Sequence, residues 1–154
     1  MTVELVRFCG LQTSGKTSFY RERLAGTHVH ISKDAWPNAR KKEKRQCRLV
    51  DDYLGAGRSV VVDNTNPTPA ERGPLVTIAR ARGANVTVYS FVTTVSEALR
   101  RNAERVGRAR IDDVGILSVA KRYVPPSEIE GFDEIFEVRL SETGFVIVEH
   151  GRRT

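Results

Sequence analysis

Residues 8–20, "FCGLQTSGKTSFY", carry a pattern that binds phosphate groups. Two glycines, a lysine and a threonine stand at the spacing G-x-x-x-x-G-K-T, which is that of a Walker A loop. The glycines let the backbone bend so that its N–H groups and the next helix N-terminus face the phosphates. In such a loop the lysine contacts the β- and γ-phosphates, and the threonine hydroxyl binds Mg²⁺. The predicted ATP-binding residues of the loop are Gly10, Thr13, Ser14, Gly15, Lys16, Thr17 and Ser18.

A carboxylate stands at or just after the end of each of two predicted strands. Asp34 follows the strand predicted at residues 28–32, and Asp63 ends the strand predicted at 59–63. Open α/β sheets bind their substrates outside the carboxyl ends of the strands. We expect Asp34 to accept the proton of an attacking hydroxyl, although a carboxylate there could equally cap a helix from residue 35 onward. Asp63 stands where a Walker B carboxylate would hold Mg²⁺ together with Thr17.

More polar side chains follow Asp63, in the stretch "DNTNP". An Asx turn before Pro67 explains one asparagine, but it does not explain the whole polar group. We therefore predict that Asn64 and Thr65 face the same sheet edge and contact the phosphate acceptor.

The segment "RRNAERVGRAR", residues 100–110, carries five arginines. Arg101 and Arg105 are four residues apart, so we expect them to share one helix face, and Arg108 follows in a glycine-containing loop. Small kinases close a lid over the triphosphate and supply arginines to the charge that develops during transfer. We predict that role for Arg101 and Arg105 in a lid over about residues 100–122, with Arg108 contacting ATP. The alternative is an exposed basic helix in which Glu104 pairs with some of these arginines.

Predicted strands and helices alternate along the chain. Apolar runs predict strands at residues 3–9, 28–32, 59–63 and 85–92, and two terminal strands, "EIFEVRL" and "FVIVEH", joined by a hairpin. Helices are predicted at 16–25, 39–55, 68–83, from 94 or 96 to about 106, and from 112 to about 124. This order predicts an α/β fold with a mostly parallel central sheet flanked by helices, in one domain over residues 1–154.

Composition narrows the class of protein. The chain has 154 residues and a net charge of +6, and 19 of its 25 basic residues are arginine. Arginine matches phosphate oxygens two at a time, so a polyanionic partner is one explanation of this bias and a compositional bias of the genome is the other. We expect no membrane span, no signal peptide and no disulfide or metal site from the two cysteines, and hence a cytoplasmic protein.

The motifs together resemble the kinase domain of the polynucleotide 5′-kinase family. The matching stretches are "GLQTSGKTS", "HVHISKD", "VVVDNTNP", "RRNAER" and "PPSEIEGFDEI", in family order over about residues 3–136. The resemblance implies a P-loop kinase fold that transfers the γ-phosphate of ATP to a 5′-hydroxyl of DNA or RNA, using Mg²⁺. It also implies that Asp34 is the general base and that Lys16 and Thr17 contact phosphate and metal. Arg101 and Arg105 match the family's lid, and "GFDEI" has a structural role.

The acceptor side departs from the family. Family members carry an arginine shortly after the catalytic aspartate, but here the segment "DAWPNARKKEKRQ" looks longer, so that Arg40 and Arg45 are both candidates. Trp36 could stack on a terminal base, a contact that contributes about 1–3 kcal/mol, or it could be a packing residue. The phosphatase signature D-x-D-G is absent, so no 3′-phosphatase activity is expected.

Three functions remain after this comparison. The first is a 5′-polynucleotide kinase, the second a kinase of a sugar, antibiotic or nucleoside, and the third a nucleotide-sensing module without catalysis. A base-recognition motif N-K-x-D, which a GTPase would need, is absent. The basic excess and the run "ARKKEKR" favour a nucleic acid acceptor, because backbone phosphates need cations, although such a run could also be a solvated helix face.

Overall fold

Six strands form one sheet in the order β2-β3-β1-β4-β5-β6. The computed structural model describes residues 2–152. The strands are β1 Glu4–Gly10, β2 Val29–Ile31, β3 Val60–Asp63, β4 Asn85–Phe91, β5 Glu134–Ser141 and β6 Gly144–Arg152. The first five are parallel, and β6 pairs with β5 in the opposite direction. The predicted mostly parallel sheet and its terminal hairpin are confirmed.

Five α-helices and three short 3₁₀ helices connect the strands. The α-helices are α1 Lys16–Arg23, α2 Lys42–Gly55, α3 Pro69–Ala81, α4 Val95–Glu104 and α5 Asp113–Arg122; the 3₁₀ helices are Lys33–Ala35, Gly107–Ala109 and Glu128–Glu130. Helix α2 begins three residues later than predicted, because Lys41 takes a left-handed conformation with φ 54°. Helix α4 ends two residues earlier than predicted, because Arg105 is extended, with ψ 153°.

The two faces of the sheet are covered by different helices. Side chains of α2 and α3, such as Val50 and Leu75, pack against one face together with Leu5 of β1. Phe19 of α1 packs on the other face with Phe8 and Phe91. Alternate residues of β1 therefore enter different cores, as the period of a strand requires. None of the helices within residues 2–152 is long and apolar enough to cross a membrane.

A buried polar network ties the segment after α5 to the centre of the sheet. Arg7 and Arg72 are both fully buried. Arg7 donates to Asn66 Oδ1 at 2.6 Å and to the carbonyl oxygen of Arg72, and burial lowers its pKa to about 10. Arg72 donates to both carboxylate oxygens of Glu130, at 2.8 and 3.0 Å, and to the carbonyl of Asn66 at 2.7 Å. The stretch "PPSEIEG" thus holds α3 and the loop after β3 in place.

The parallel strands bring their carboxyl ends to one edge of the sheet. In the register of β1 and β3, Phe8 stands opposite Asp63, and Ile31 of β2 stands opposite Val62. The phosphate loop, Asp63 and the 3₁₀ helix that carries Asp34 therefore all emerge at this edge.

Candidate functional site

The phosphate loop lies between β1 and α1, where the Walker A pattern requires it. Gly10 has φ 146°, and a side chain on it would meet the carbonyl oxygen of Phe91 at 2.7 Å. Gly15 has φ 96°, and a side chain there would approach the ring of Phe145 to 3.1 Å. Both positions therefore need glycine. Thr13 also takes a positive φ, 67°, and is held by its hydroxyl, which donates to the carbonyl of Ala98 at 2.9 Å.

Lys16 is buried within the loop that precedes it. Its amine donates to the carbonyl oxygens of Gly10 at 3.0 Å and Leu11 at 2.7 Å. Burial lowers the pKa of Lys16 to about 8; Asp63 and Asp34 oppose this shift, and Arg105 adds to it. All three of these charged residues are predicted site residues. The amine is the group of this loop that would turn to the phosphates of a nucleotide.

Thr17 and Asp63 are in direct contact. The Thr17 hydroxyl donates to Asp63 Oδ2 at 2.7 Å, and Asp63 is almost fully buried. The single hydroxyl proton is used in this bond, so the lone pairs of Thr17 are free for a cation. Within residues 2–152 no three His, Cys, Asp or Glu side chains are grouped to hold a metal. The pair fits Mg²⁺, which binds oxygen atoms and usually completes its shell with waters and substrate phosphates.

Asp34 lies on the 3₁₀ helix Lys33–Ala35, and its side chain is exposed. The residue that caps this helix is Ser32, whose hydroxyl accepts the backbone N–H of Asp34 at 3.2 Å. The alternative in which Asp34 is itself the cap is therefore wrong. None of residues 2–152 donates a hydrogen bond to its carboxylate, so the group can accept a proton from a bound hydroxyl.

The polar residues after Asp63 form hydrogen bonds that connect the segments around the site. Asn64 accepts the backbone N–H of Lys33 at 3.0 Å and donates to Gln46 of α2 at 2.6 Å. Thr65 uses its carbonyl oxygen to accept the N–H of Gly10 at 3.0 Å. Asn64 and Thr65 thus lie where the acceptor role was predicted, but these contacts link the loop after β3 to the Asp34 segment and the phosphate loop. That role remains a prediction.

The arginines of residues 100–110 have separate environments. Arg101 donates to the carbonyl of Thr13 at 3.3 Å, and so contacts the phosphate loop, and it also forms an ion pair with Glu97 at 3.2 Å. Arg105 is extended at the end of α4, so the expected helical face shared with Arg101 is absent, although its charge still acts on Lys16. Arg100 forms ion pairs with Glu97 and Glu104 on the exposed face. Arg108 is exposed in the 3₁₀ helix Gly107–Ala109.

The segment after Asp34 brings Trp36 and Arg45 together. The Arg45 guanidinium carbon lies 4.4 Å from the centre of the Trp36 ring system, and Trp36 is partly buried against the core. Arg40 is exposed in the bend before α2. Of the two acceptor-arginine candidates, the structure therefore places Arg45 against Trp36, two residues beyond Asp34.

A mostly apolar cleft of about 340 Å³ adjoins the first residues of the phosphate loop. Its walls include Leu11, Phe91, Val95, Ala120 and Tyr123. Gly10 is the one predicted site residue that lines it, so the charged groups described above lie outside this cleft.

Three residues of the site lay outside the sequence predictions. His30 contacts Asp63 Oδ2 at 2.8 Å. Gln46 is the buried partner of Asn64. Asn102 is fully buried and joins the end of α4 to the start of α5 through Ile111 and Asp113. For Gln46 and Asn102 the type of residue was the one signal in the sequence, since a polar side chain on the buried face of a helix needs a partner; nothing in the sequence pointed to His30.

Comparisons with known proteins agree with this architecture. A putative bifunctional polynucleotide phosphatase/kinase of Acanthamoeba polyphaga mimivirus is 26% identical over 141 residues, which are 86% of this chain and 32% of the relative. The chain thus spans about a third of the length of the curated relative that it matches.

Solved structures show the same fold. Chaetomium thermophilum Kti12, crystallised with ADP-AlF3, has a TM-score of 0.69 at 21% identity, over 90% of this chain and 92% of that one. A fungal RNA kinase has a TM-score of 0.68 at 21% identity, over 92% of this chain and 40% of that one. A sugar kinase from Janibacter has a TM-score of 0.65 at 15% identity, over 88% and 85%.

A protein-family model also matches most of the chain. The model described as an AAA domain matches residues 5–124, from β1 through the phosphate loop to the end of α5. The chain therefore belongs to that AAA-domain family and has the P-loop kinase fold.

Proposed function

We propose that the protein is an ATP-dependent kinase of polynucleotide 5′-hydroxyl ends. The observation that carries this proposal is the distribution of unpaired cations. Among the described residues, six basic side chains at 40–48 and three at 105–110 lie beyond 4.0 Å of any carboxylate: Arg40, Lys41, Lys42, Lys44, Arg45, Arg48, Arg105, Arg108 and Arg110. Several arginines elsewhere, among them Arg80, Arg82 and Arg122, are paired with carboxylates, and the other unpaired cations, such as Arg21 and Arg58, are far apart in the sequence.

One member of each cationic group, Arg45 in the first and Arg105 in the second, is linked to the predicted reaction centre. The first follows Asp34 and Trp36, and the second includes Arg105, whose charge reaches Lys16. Unpaired surface cations repel one another, and an acceptor that brings several phosphates would neutralise them. A neutral sugar or alcohol would leave the charge at residues 40–48 uncompensated.

The nucleotide would bind across the phosphate loop. Loop N–H groups and Lys16 would hold the β- and γ-phosphates of ATP, once the lysine exchanges its carbonyl partners for phosphate oxygens. Thr17 and Asp63 would hold Mg²⁺, which supplies positive charge to the phosphate oxygens when bound. Arg101 and Arg105, on a lid formed by about residues 100–122, would stabilise the charge of the departing diphosphate.

The acceptor would enter beside Asp34. The carboxylate removes the proton of the 5′-hydroxyl while the 5′-oxygen of the acceptor forms a bond to the γ-phosphorus. The bond between that phosphorus and the β,γ-bridging oxygen breaks, and ADP leaves with the electron pair. Trp36 and Arg45 would contact the terminal nucleotide. Arg40 and the exposed cations of α2, Lys44 and Arg48, would contact phosphates farther along the strand.

A small-molecule kinase is the second candidate. The sugar kinase has the same fold at a similar TM-score, and Lys16, Thr17, Asp34 and Asp63 would serve either acceptor. The names of the mimiviral relative and the fungal RNA kinase, together with the unpaired cations, support the polynucleotide acceptor over the sugar.

The test is transfer of labelled γ-phosphate from ATP to a set of acceptors, with products resolved by size. The set contains 5′-hydroxyl and 5′-phosphate oligonucleotides of DNA and RNA, and a panel of sugars, nucleosides and other alcohols. The proposal expects label on the 5′-hydroxyl oligonucleotides only. Label on a small alcohol, with none on any oligonucleotide, would establish the second candidate instead.

A further inference from the structure

Two histidines, two residues apart, each contact a carboxylate. His28 Nε2 lies 2.7 Å from Glu4 Oε2, and His30 Nε2 lies 2.8 Å from Asp63 Oδ2. The first pair lies at the start of β2 and β1, away from the phosphate loop, and the second lies at the carboxyl edge of the sheet. These two histidines therefore make the same kind of contact, one outside the site and one within it.

Asp63 Oδ2 receives two hydrogen bonds. Thr17 Oγ1 donates to it at 2.7 Å, and His30 Nε2 lies at 2.8 Å. An ionised carboxylate only accepts, so Nε2 carries the proton in this contact. Within residues 2–152, no donor reaches the other oxygen, Oδ1. The carboxylate is thus fixed through one oxygen while the other stays open.

The imidazole ring is itself held in place. The ring of Tyr20 lies 4.5 Å from that of His30, centre to centre. Tyr20 is anchored by its hydroxyl, which donates to the carbonyl of His28 at 2.7 Å. About a third of the His30 side chain is exposed, whereas Asp63 is almost fully buried. A histidine held in this way presents its N–H to Asp63 in one orientation.

We infer that His30 is a positioning residue that acts through Asp63. Its N–H fixes the carboxylate so that Oδ1 faces the cation and its waters, and so that Thr17 keeps its lone pairs for the same cation. The inference rests on the proposed function in one respect, namely that Thr17 and Asp63 hold Mg²⁺. Groups that orient metal ligands typically change metal affinity by about 10–100-fold when they are removed.

Two variants separate the donated hydrogen bond from the packing of the ring. His30→Phe keeps an aromatic ring against Tyr20 but has no N–H to donate. His30→Gln loses the ring but places an amide N–H near the position of Nε2. His28→Phe is the matched control, since it removes the equivalent histidine–carboxylate contact at Glu4.

The measurement is the Mn²⁺ concentration that supports half-maximal binding of ATP, read by calorimetry and by metal-dependent protection against thermal unfolding. We expect this concentration to rise about 10-fold or more in His30→Phe and to stay within about threefold of the wild type in His30→Gln and His28→Phe. Unchanged metal dependence in His30→Phe would overturn the inference. Equal loss in His30→Phe and His30→Gln would also overturn it, because an N–H donor near the position of Nε2 would then not restore metal binding.

The readout involves no acceptor. Failure to phosphorylate oligonucleotides would therefore contradict the proposed function without affecting this test. Conversely, a kinase active on oligonucleotides with unchanged metal dependence in His30→Phe would contradict the role of His30 alone.

Discussion

The guanidinium of Arg45 lies 4.4 Å from the centre of the Trp36 ring system. This contact joins the first exposed turn of α2 to the segment that carries Asp34. It also holds an arginine and an indole face at the place where we propose that the terminal nucleotide enters. A second contact of the same kind, Arg58 over Tyr53 at 5.6 Å, lies at the far end of α2.

We predict that Arg45→Ala raises the KM for a 5′-hydroxyl oligonucleotide about 10-fold or more, with little change in the KM for ATP. A charge-assisted contact to phosphate contributes about 1.5–3 kcal/mol. Arg58→Ala is the control, because it removes an arginine–aromatic contact outside the site. Steady-state kinetics in both substrates measure the effect, and equal acceptor KM values in the two variants would assign Arg45 to packing.

Asp34→Asn should abolish transfer to the acceptor while ATP binding is retained. General-base catalysis contributes about 10²–10⁴-fold, and asparagine lacks the basic oxygen. Because Ser32 caps the 3₁₀ helix, the fold should tolerate the change, and thermal unfolding provides that control. A variant that retains most of its turnover would remove Asp34 from the chemistry.

Arg101→Ala and Arg105→Ala should lower kcat more than they raise the KM for either substrate. Arg101 contacts the phosphate loop through Thr13, and the charge of Arg105 acts on Lys16. Contacts that strengthen as the γ-phosphate departs appear in kcat. Arg100→Ala is the matched control, since Arg100 shares the Glu97 carboxylate with Arg101 and also pairs with Glu104, but no contact with the phosphate loop is seen for it among residues 2–152. If all three variants behave alike, the arginines of this segment act only as surface charge.

Glu130→Gln should lower the free energy of unfolding by about 3 kcal/mol, because it leaves the buried Arg72 without its carboxylate. Arg72 is fully buried and donates to both oxygens of Glu130. Glu128→Gln is the control on the same 3₁₀ helix, at an exposed position. Urea unfolding of both variants gives the comparison, and a loss no larger than that of Glu128→Gln would mean that the carboxylate contributes little.

Local sequence patterns predicted the elements of the candidate site whose conformation is determined by residues close to one another in the chain. The loop from Gly10 to Thr17, the strand that ends at Asp63 and the turn that carries Asp34 each follow from a short stretch of chain. The parallel sheet then brings them to one edge, because every crossover helix returns the chain to the same end.

Local patterns could not predict contacts between residues that are far apart in the sequence. The partners of Asn64 and Asn102, and the approach of His30 to Asp63, depend on the packing of separate elements. Arg7 interrupts an apolar strand, and its role emerges only once Arg72 and Glu130 are placed around it. Helix α4 ends at Glu104, three residues before Gly107. Arg101 and Arg105 therefore do not share a helical face, although their spacing of four residues predicted one.

The central claim is that the acceptor is a strand of nucleic acid and not a small alcohol. The most direct measurement is kcat/KM for a 5′-hydroxyl oligonucleotide and for its own terminal nucleoside, each over a range of salt concentrations.

Lys41 to Arg48 span about 10 Å of helix, close to the rise of about three nucleotides of one strand. For a single strand, the logarithm of affinity should fall with log[salt] at about −0.7 per phosphate contact.

We predict a steep negative slope for the oligonucleotide and almost none for the nucleoside. The double variant Lys44→Gln with Arg48→Gln should flatten the oligonucleotide slope by about 1.4, which is two contacts. A control that removes two exposed cations elsewhere, Arg21→Gln with Arg58→Gln, should leave it unchanged. Equal kcat/KM for nucleoside and oligonucleotide, with no dependence of either on salt or on the α2 cations, would contradict the account.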